Sequence, residues 1–190
     1  MGIFGKLFGG GKKDPNYVPS ADLMPEDTFW DLIQESRKNS GGDPDFQEEA
    51  LANLLRKLPL QDIIAFQNRF HELRGKAYTW PLWGVAYIIN GGCSDDSFCY
   101  FRDWLIAQGR DTYTKAVADP EWLGELDLQE DETDAEGMAY VALSVFEERT
   151  EQELPAQFAE NYTISGLEWK EEGDDLARMF PKLWEKYDRS

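Results

Sequence analysis

From Pro25 onward, apolar residues return every three or four positions, the repeat of helices with one buried face. PEDTFWDLIQESRKN sets Phe29, Trp30 and Ile33 on one stripe, with Pro25 near the first turn, acids beside it and Gly41-Gly42 as the stop. DPDFQEEALANLLRKL opens with Asp43 as an N-cap and Pro44 in the first helical position, then repeats Phe46, Ala50, Leu51, Leu54, Leu55 and Leu58. A third helix follows Pro59, with Ile63, Phe66, Phe70, Leu73 and Ala77 on one stripe.

Trp80 to Ile89 breaks this alternation. Trp80, Trp83, Val85, Ala86, Tyr87, Ile88 and Ile89 leave almost no polar side, which marks a buried central helix. Asn90-Gly91-Gly92 ends it, because glycine takes positive φ without steric cost. Ser94 then caps a new helix whose first turn holds Asp95 and Asp96. Phe98, Phe101, Leu105 and Gln108 follow at helical spacing, and Gly109 closes it. TDAEGMAYVALSVFEER starts with a Thr133/Glu136 capping box and carries Met138, Val141, Ala142 and Val145 on one face. DDLARMFPKLWEKY reads as a last helix, interrupted or restarted at Pro181.

The best extended candidate is NYTISGLEW. The pattern therefore predicts an all-α fold, a single compact multi-helix domain. Residues 1–20 form a flexible Gly/Lys/Pro-rich lead-in and residues 21–126 a helical core. Residues 127–190 form an acidic C-terminal extension packed on that core, reached through the connector GELDLQEDETDAE.

Charge changes this picture most. The chain holds 37 acidic and 19 basic residues, a net charge of −18, and Glu125–Ser190 accounts for 19 of the acidic residues. Such a surface repels phosphate backbones, so nucleic acid is excluded as a partner. It suits simple solubility, or a basic protein partner. No apolar run approaches the roughly 20 residues that span a bilayer, which predicts no stable membrane insertion. The opening GIFGKLF could at most touch a membrane or a partner. With two cysteines and no signal-peptide pattern, a cytoplasmic protein with reduced thiols is expected. GGGKK does not make a phosphate loop: Lys6 stands where its first glycine belongs, and Lys13 replaces the Ser/Thr.

Candidate chemistry concentrates in GGCSDDSFCYFRDW, Gly91 to Trp104. Cys93, just before a helix start, could act as a nucleophile with His71 as its base. Asp95, Asp96 and Asp103 could surround a divalent ion, although adjacent helical residues point about 100° apart. Arg102, between aromatics, calls for a carboxylate partner if buried. Zinc lacks ligands, since five residues separate Cys93 from Cys99 and His71 is the only histidine. No cofactor is implied, and helix stop, cap, dipole partner and core explain every residue type in the motif. The expected function is a protein-binding module, of an immunity or inhibitor type if its partner is basic. The alternatives are a hydrolase-like enzyme with a site around Cys93, Ser94, Asp95, Asp96 and Arg102, and a purely structural protein.

FWDLIQESR, the long block from IIAFQNRFHELRGKAYTWPLWGVAYIINGG through CSDDSFCYFRDWLIAQGRDTYTKAVADPEWL, and FPKLWEKY resemble a bacterial domain of unknown function, family forty-two-forty. The resemblance runs from about Thr28 to Leu123 and resumes near Ala139-Tyr140 and Phe180–Trp184. It implies a cytoplasmic bacterial protein and assigns no catalytic residue.

Overall fold

The computed structural model describes residues 17–41, 43–129, 132–155, 163–171 and 174–187. The order is α1 (Glu26–Ser40), α2 (Pro44–Leu55), α3 (Leu60–Lys76), α4 (Trp80–Asn90), α5 (Asp95–Ala107) and α6 (Arg110–Ala118). A 3₁₀ helix (Pro120–Glu125) and a second (Glu136–Tyr140) lead into α7 (Val141–Thr150), followed by α8 (Asp175–Met179) and α9 (Pro181–Tyr187). The fold is all-α, and no strand occurs among the described residues.

Local chemistry sets most of these boundaries. Gly41 ends α1 in the left-handed region at φ 66°. Asp43 Oδ1 accepts from the Phe46 amide at 3.3 Å to start α2, and Thr79 and Ser94 cap α4 and α5 through the amides of Leu82 and Ser97. The helices share one apolar core. Phe29 of α1 stacks on Phe66 of α3 at 4.8 Å, and Ile63, Ile64, Phe70, Val85, Phe98 and Phe101 are fully enclosed. Helix α7 belongs to that core, with Val145 and Phe146 buried and Tyr17 edge-on to Phe146 at 4.9 Å. The end of the lead-in is held too, since Val18 donates to Gln61 and Asn68 donates to the Ser20 carbonyl. Residues 1–16 lie outside the described residues.

Two expectations change. Phe46 was expected in a buried stripe but is 66% exposed, and α2 buries Gln47, Leu51, Ala52 and Leu55 instead. A polar residue wins the inner face because the Gln47 amide donates to the Ala107 carbonyl at 3.0 Å, which satisfies the end of α5. The Thr133/Glu136 capping box does not form. Thr133 exchanges hydrogen bonds with the Asn90 side chain at 3.0 and 3.1 Å. Asp134 accepts from the Glu136 amide, and the segment begins as a 3₁₀ turn. Helix α6 and the 3₁₀ turn after it are further elements, bounded by Gly109 before α6 and Asp119-Pro120 after it.

Beyond α7 the chain returns across α4. Thr79 and Ser165 form a single parallel bridge, with the Trp80 amide donating to the Ser165 carbonyl at 2.8 Å. This is what becomes of the extended candidate NYTISGLEW, whose first two residues lie outside the described ones. Trp169 donates from its indole to the Trp80 carbonyl and stands edge-on to Trp80 and Trp83. Pro181 separates α8 from α9, as the sequence indicates.

Gly84 makes this docking possible. A Cβ there would lie 2.7 Å from Leu176 Cδ2, 3.1 Å from Trp169 Nε1 and 3.2 Å from Phe180 Cε2. The leucine tip can move, but the two rings cannot move far. Gly84→Val is therefore expected to cost about 1–3 kcal/mol through overpacking. Thermal unfolding should record the loss, and faster proteolysis of the 163–187 segment should place it at the α4 surface.

Candidate functional site

The turn from α4 to α5 is built by its own sequence. Gly91 takes φ 65° and Gly92 φ 150°, conformations that favour glycine. The Trp83 indole donates to the Cys93 carbonyl at 2.9 Å and fixes the exit of the turn. Ser94 then caps α5, leaving Asp95 and Asp96 exposed in the first helical turn, where they meet the positive end of the helix dipole.

Cys93 is half-buried, and its thiol is pushed up to about 12. Burial is the main cause. The nearby Cys99 also raises it, and the hydrogen bond with Trp83 works in the opposite direction. At neutral pH the group is a protonated thiol, the reverse of the activation that a helix N-terminus can give. The Cys93 thiol donates to the Ser94 carbonyl at 3.6 Å, whereas His71 sits on α3 with its Nε2 3.0 Å from the Gln67 amide nitrogen. The structure thus does not bring the proposed nucleophile and base together as a pair.

Arg102 corrects a second expectation. It is 4% exposed, yet no carboxylate among the described residues pairs with it. Its Nε donates to the Phe98 carbonyl at 3.2 Å, Nη1 to the Arg74 carbonyl at 3.0 Å and Nη2 to Cys99 Sγ at 3.0 Å. The guanidinium lies over Tyr78 at 4.7 Å and Phe98 at 5.0 Å. Carbonyl oxygens and ring faces take the place of the carboxylate. The acid–base pair belongs instead to Asp103, fully buried, whose Oδ1 is 3.0 Å from Arg74 Nε. Asp103 therefore faces the core while Asp95 and Asp96 face water, and the three carboxylates do not converge. Among the described residues, no group of three or more His, Cys, Asp or Glu side chains is placed to hold a metal ion.

Stacked rings bind this junction together. Trp80 stacks on Trp83 at 5.5 Å and Trp83 on Phe98 at 5.0 Å, with interplanar angles of 11° and 12°. The Gly91–Trp104 motif is thus part of a packed helix–helix joint, with Arg102 over Tyr78 and Phe98 and Trp169 edge-on to Trp80 and Trp83.

A more open feature lies between α2 and α7. Ala52, Val141 and Val145 form its floor, and Glu48, Glu49, Arg56, Tyr140 and Ser144 its walls. Tyr140 is 52% exposed. Arg56 is already held by two acids, with Nε 3.1 Å from Glu148 and Nη1 3.1 Å from Glu49, and those hydrogen bonds push its pKa up. Glu147 and Glu148 of α7 and Glu136 before it are exposed close by in the chain. The sequence reading missed this groove because its two walls are separated by more than eighty residues.

Together these features define an all-α protein with a closed aromatic joint and an acidic surface groove. The chain belongs to the DUF4240 family, proteins of unknown function, whose model matches residues 24–148. The matched span takes in α7 as far as Glu148 and stops before the Trp169 segment, α8 and α9. Comparison with curated proteins and with solved structures gives no match.

Two outcomes follow from the joint. Cys93 should react with iodoacetamide at least about tenfold more slowly in the folded protein than in urea at pH 8, read by mass spectrometry. A thiol raised from 9.0 to about 12 favours the folded state while protonated. Its contribution is complete below pH 9 and is lost as the pH rises from 9 to 12. Asp103→Asn leaves Arg74 without its counter-charge and should cost about 3–5 kcal/mol in urea unfolding.

Proposed function

We propose that this protein is a binding module that receives a basic protein segment in the groove between α2 and α7. What carries the reading is the arrangement of acids around one exposed ring. Glu48 and Glu49 line one wall, Tyr140 stands open beside them, and Arg56, the cation among the described lining residues, is neutralised by Glu49 and Glu148. A Lys or Arg side chain entering there meets carboxylates and a ring face suited to a cation. The net charge of −18 adds long-range attraction, which speeds encounter and enforces choice of partner more than it adds affinity. An immunity-type or inhibitor-type protein covering a basic toxin or enzyme is the fullest form of this function. A reducing cytoplasm fits two cysteines that are both free thiols.

The reading can be tested with a deca-arginine peptide titrated into isotopically labelled protein. Chemical shifts should move first at Glu49, Tyr140 and Ser144, and the affinity should fall steeply as salt is raised. Glu49→Gln should weaken binding by about 0.2–1 kcal/mol, the range for an exposed charge pair. Shifts scattered over the whole acidic surface, or centred on the α4–α5 joint, would refute the groove as the binding site.

A further inference from the structure

Helix α2 carries two apolar faces, and only one of them is used by the core. Leu51, Ala52 and Leu55 are buried. On the outer side Phe46 is 66% exposed, and Ala50 and Leu54 are only partly covered. These three follow one another at four-residue spacing, the stripe of a helix that expects a neighbour. A cleft of about 440 Å³ runs along them, between Asn39 and Ser40 at the end of α1, Glu49 and Asn53 on α2, and Lys57 in the turn after α2.

The stripe has a symmetry of its own. Ala50 is its midpoint, with Phe46 four residues before and Leu54 four residues after. Asp43 and Lys57, both exposed, lie seven residues to either side. Turned end for end about Ala50, the pattern meets itself: Phe46 falls opposite Leu54, and Asp43 opposite Lys57. Each end of the stripe thus presents the charge that the other end requires. A small residue sits at the crossing, where two helix axes would come within about 8–10 Å. An isologous contact between two copies needs this kind of self-complementary patch. A foreign helix would match it only by carrying the same reversed order of charge and bulk.

We propose that the outer face of α2 is a dimer interface in which a second copy of this chain packs antiparallel across a two-fold axis at Ala50. Phe46 of each copy enters the other's cleft beside Leu54, and Asp43 pairs with Lys57 at both ends. The helical part of the stripe, Phe46 to Leu54, is about 12 Å long, from eight steps of 1.5 Å rise. That supports a weak, concentration-dependent dimer rather than an obligate one. Each copy also brings a charge of −18, so long-range repulsion opposes association until salt screens it. Dimerisation should therefore strengthen between about 0.02 and 0.2 M salt, the opposite of the trend for a basic partner in the α2–α7 groove.

Sedimentation equilibrium of the full chain over a concentration and salt series tests this directly. A monomer–dimer equilibrium that tightens with salt is expected, and Phe46→Glu should lower the association constant by roughly tenfold or more. Phe46 is exposed in the monomer, so circular dichroism should show the variant folded. Lys57→Glu, which leaves the α2 cap in place, should weaken the dimer. With Cys93→Ser and Cys99→Ser as background, Ala50→Cys should cross-link two copies under mild oxidation, while the exposed Ser144→Cys should not. A protein that stays monomeric at every concentration and salt overturns the proposal. So does a dimer indifferent to Phe46→Glu, or one in which Ser144→Cys cross-links and Ala50→Cys does not.

Discussion

One residue of α3 is gripped twice by neighbouring residues of α5, and the rest of the fold is arranged around that grip. Asp103 takes the Arg74 guanidinium at 3.0 Å, and Arg102 donates to the Arg74 carbonyl, also at 3.0 Å. Burying a carboxylate is costly unless its partner is placed well, so the pair tolerates little sliding of α5 along α3. Hydrophobic contact alone fixes register loosely, since apolar surfaces accept many offsets. A charge without access to water accepts very few.

Once α5 is set, its other side chains have determined partners. Phe98 comes under Trp83 and Tyr78, and Cys99 under the Arg102 guanidinium. The turn before α5 is drawn against the Trp83 indole. The far end of α5 is treated as carefully. Gln47 donates to the Ala107 carbonyl, and Arg37 donates to the Gln108 side chain at 3.0 Å and to its backbone carbonyl at 3.4 Å. Those carbonyls would otherwise lack partners inside the protein. Helix α5 thus has its start capped by its own serine, its middle clamped by α3 and its end satisfied by α1 and α2. A segment so constrained is a framework for binding surfaces elsewhere.

Much of this was legible in the residue pattern, because local rules govern helix ends. Pro25, Asp43, Gly41, Ser94, Gly91 and Pro181 act within a few residues of themselves, and their roles could be read directly. Failures came where a residue's role depends on a distant partner. Thr133 has the sequence of a capping box but finds Asn90 across the fold. Phe46 obeys the helical repeat, yet the inner face of α2 goes to Gln47, which has the end of α5 to satisfy. Arg102 is legible as a cation among aromatics that needs a partner if buried, but which of its neighbours carries the compensating electron density is not deducible from spacing. The acidic groove was invisible for the same reason, since Glu49 and Tyr140 share no sequence neighbourhood.

Gly84 lies inside the span that matches the family, yet the groups that occupy the space beside it, from Trp169, Leu176 and Phe180, lie outside that span. Its missing side chain is a socket in the core shaped for a part of the chain that lies beyond the matched span. Core and tail are therefore coupled through an absence: the residue at this one place decides whether a returning segment can seat on α4. A chain with a larger residue there would have to leave Trp80 and Trp83 covered by something else.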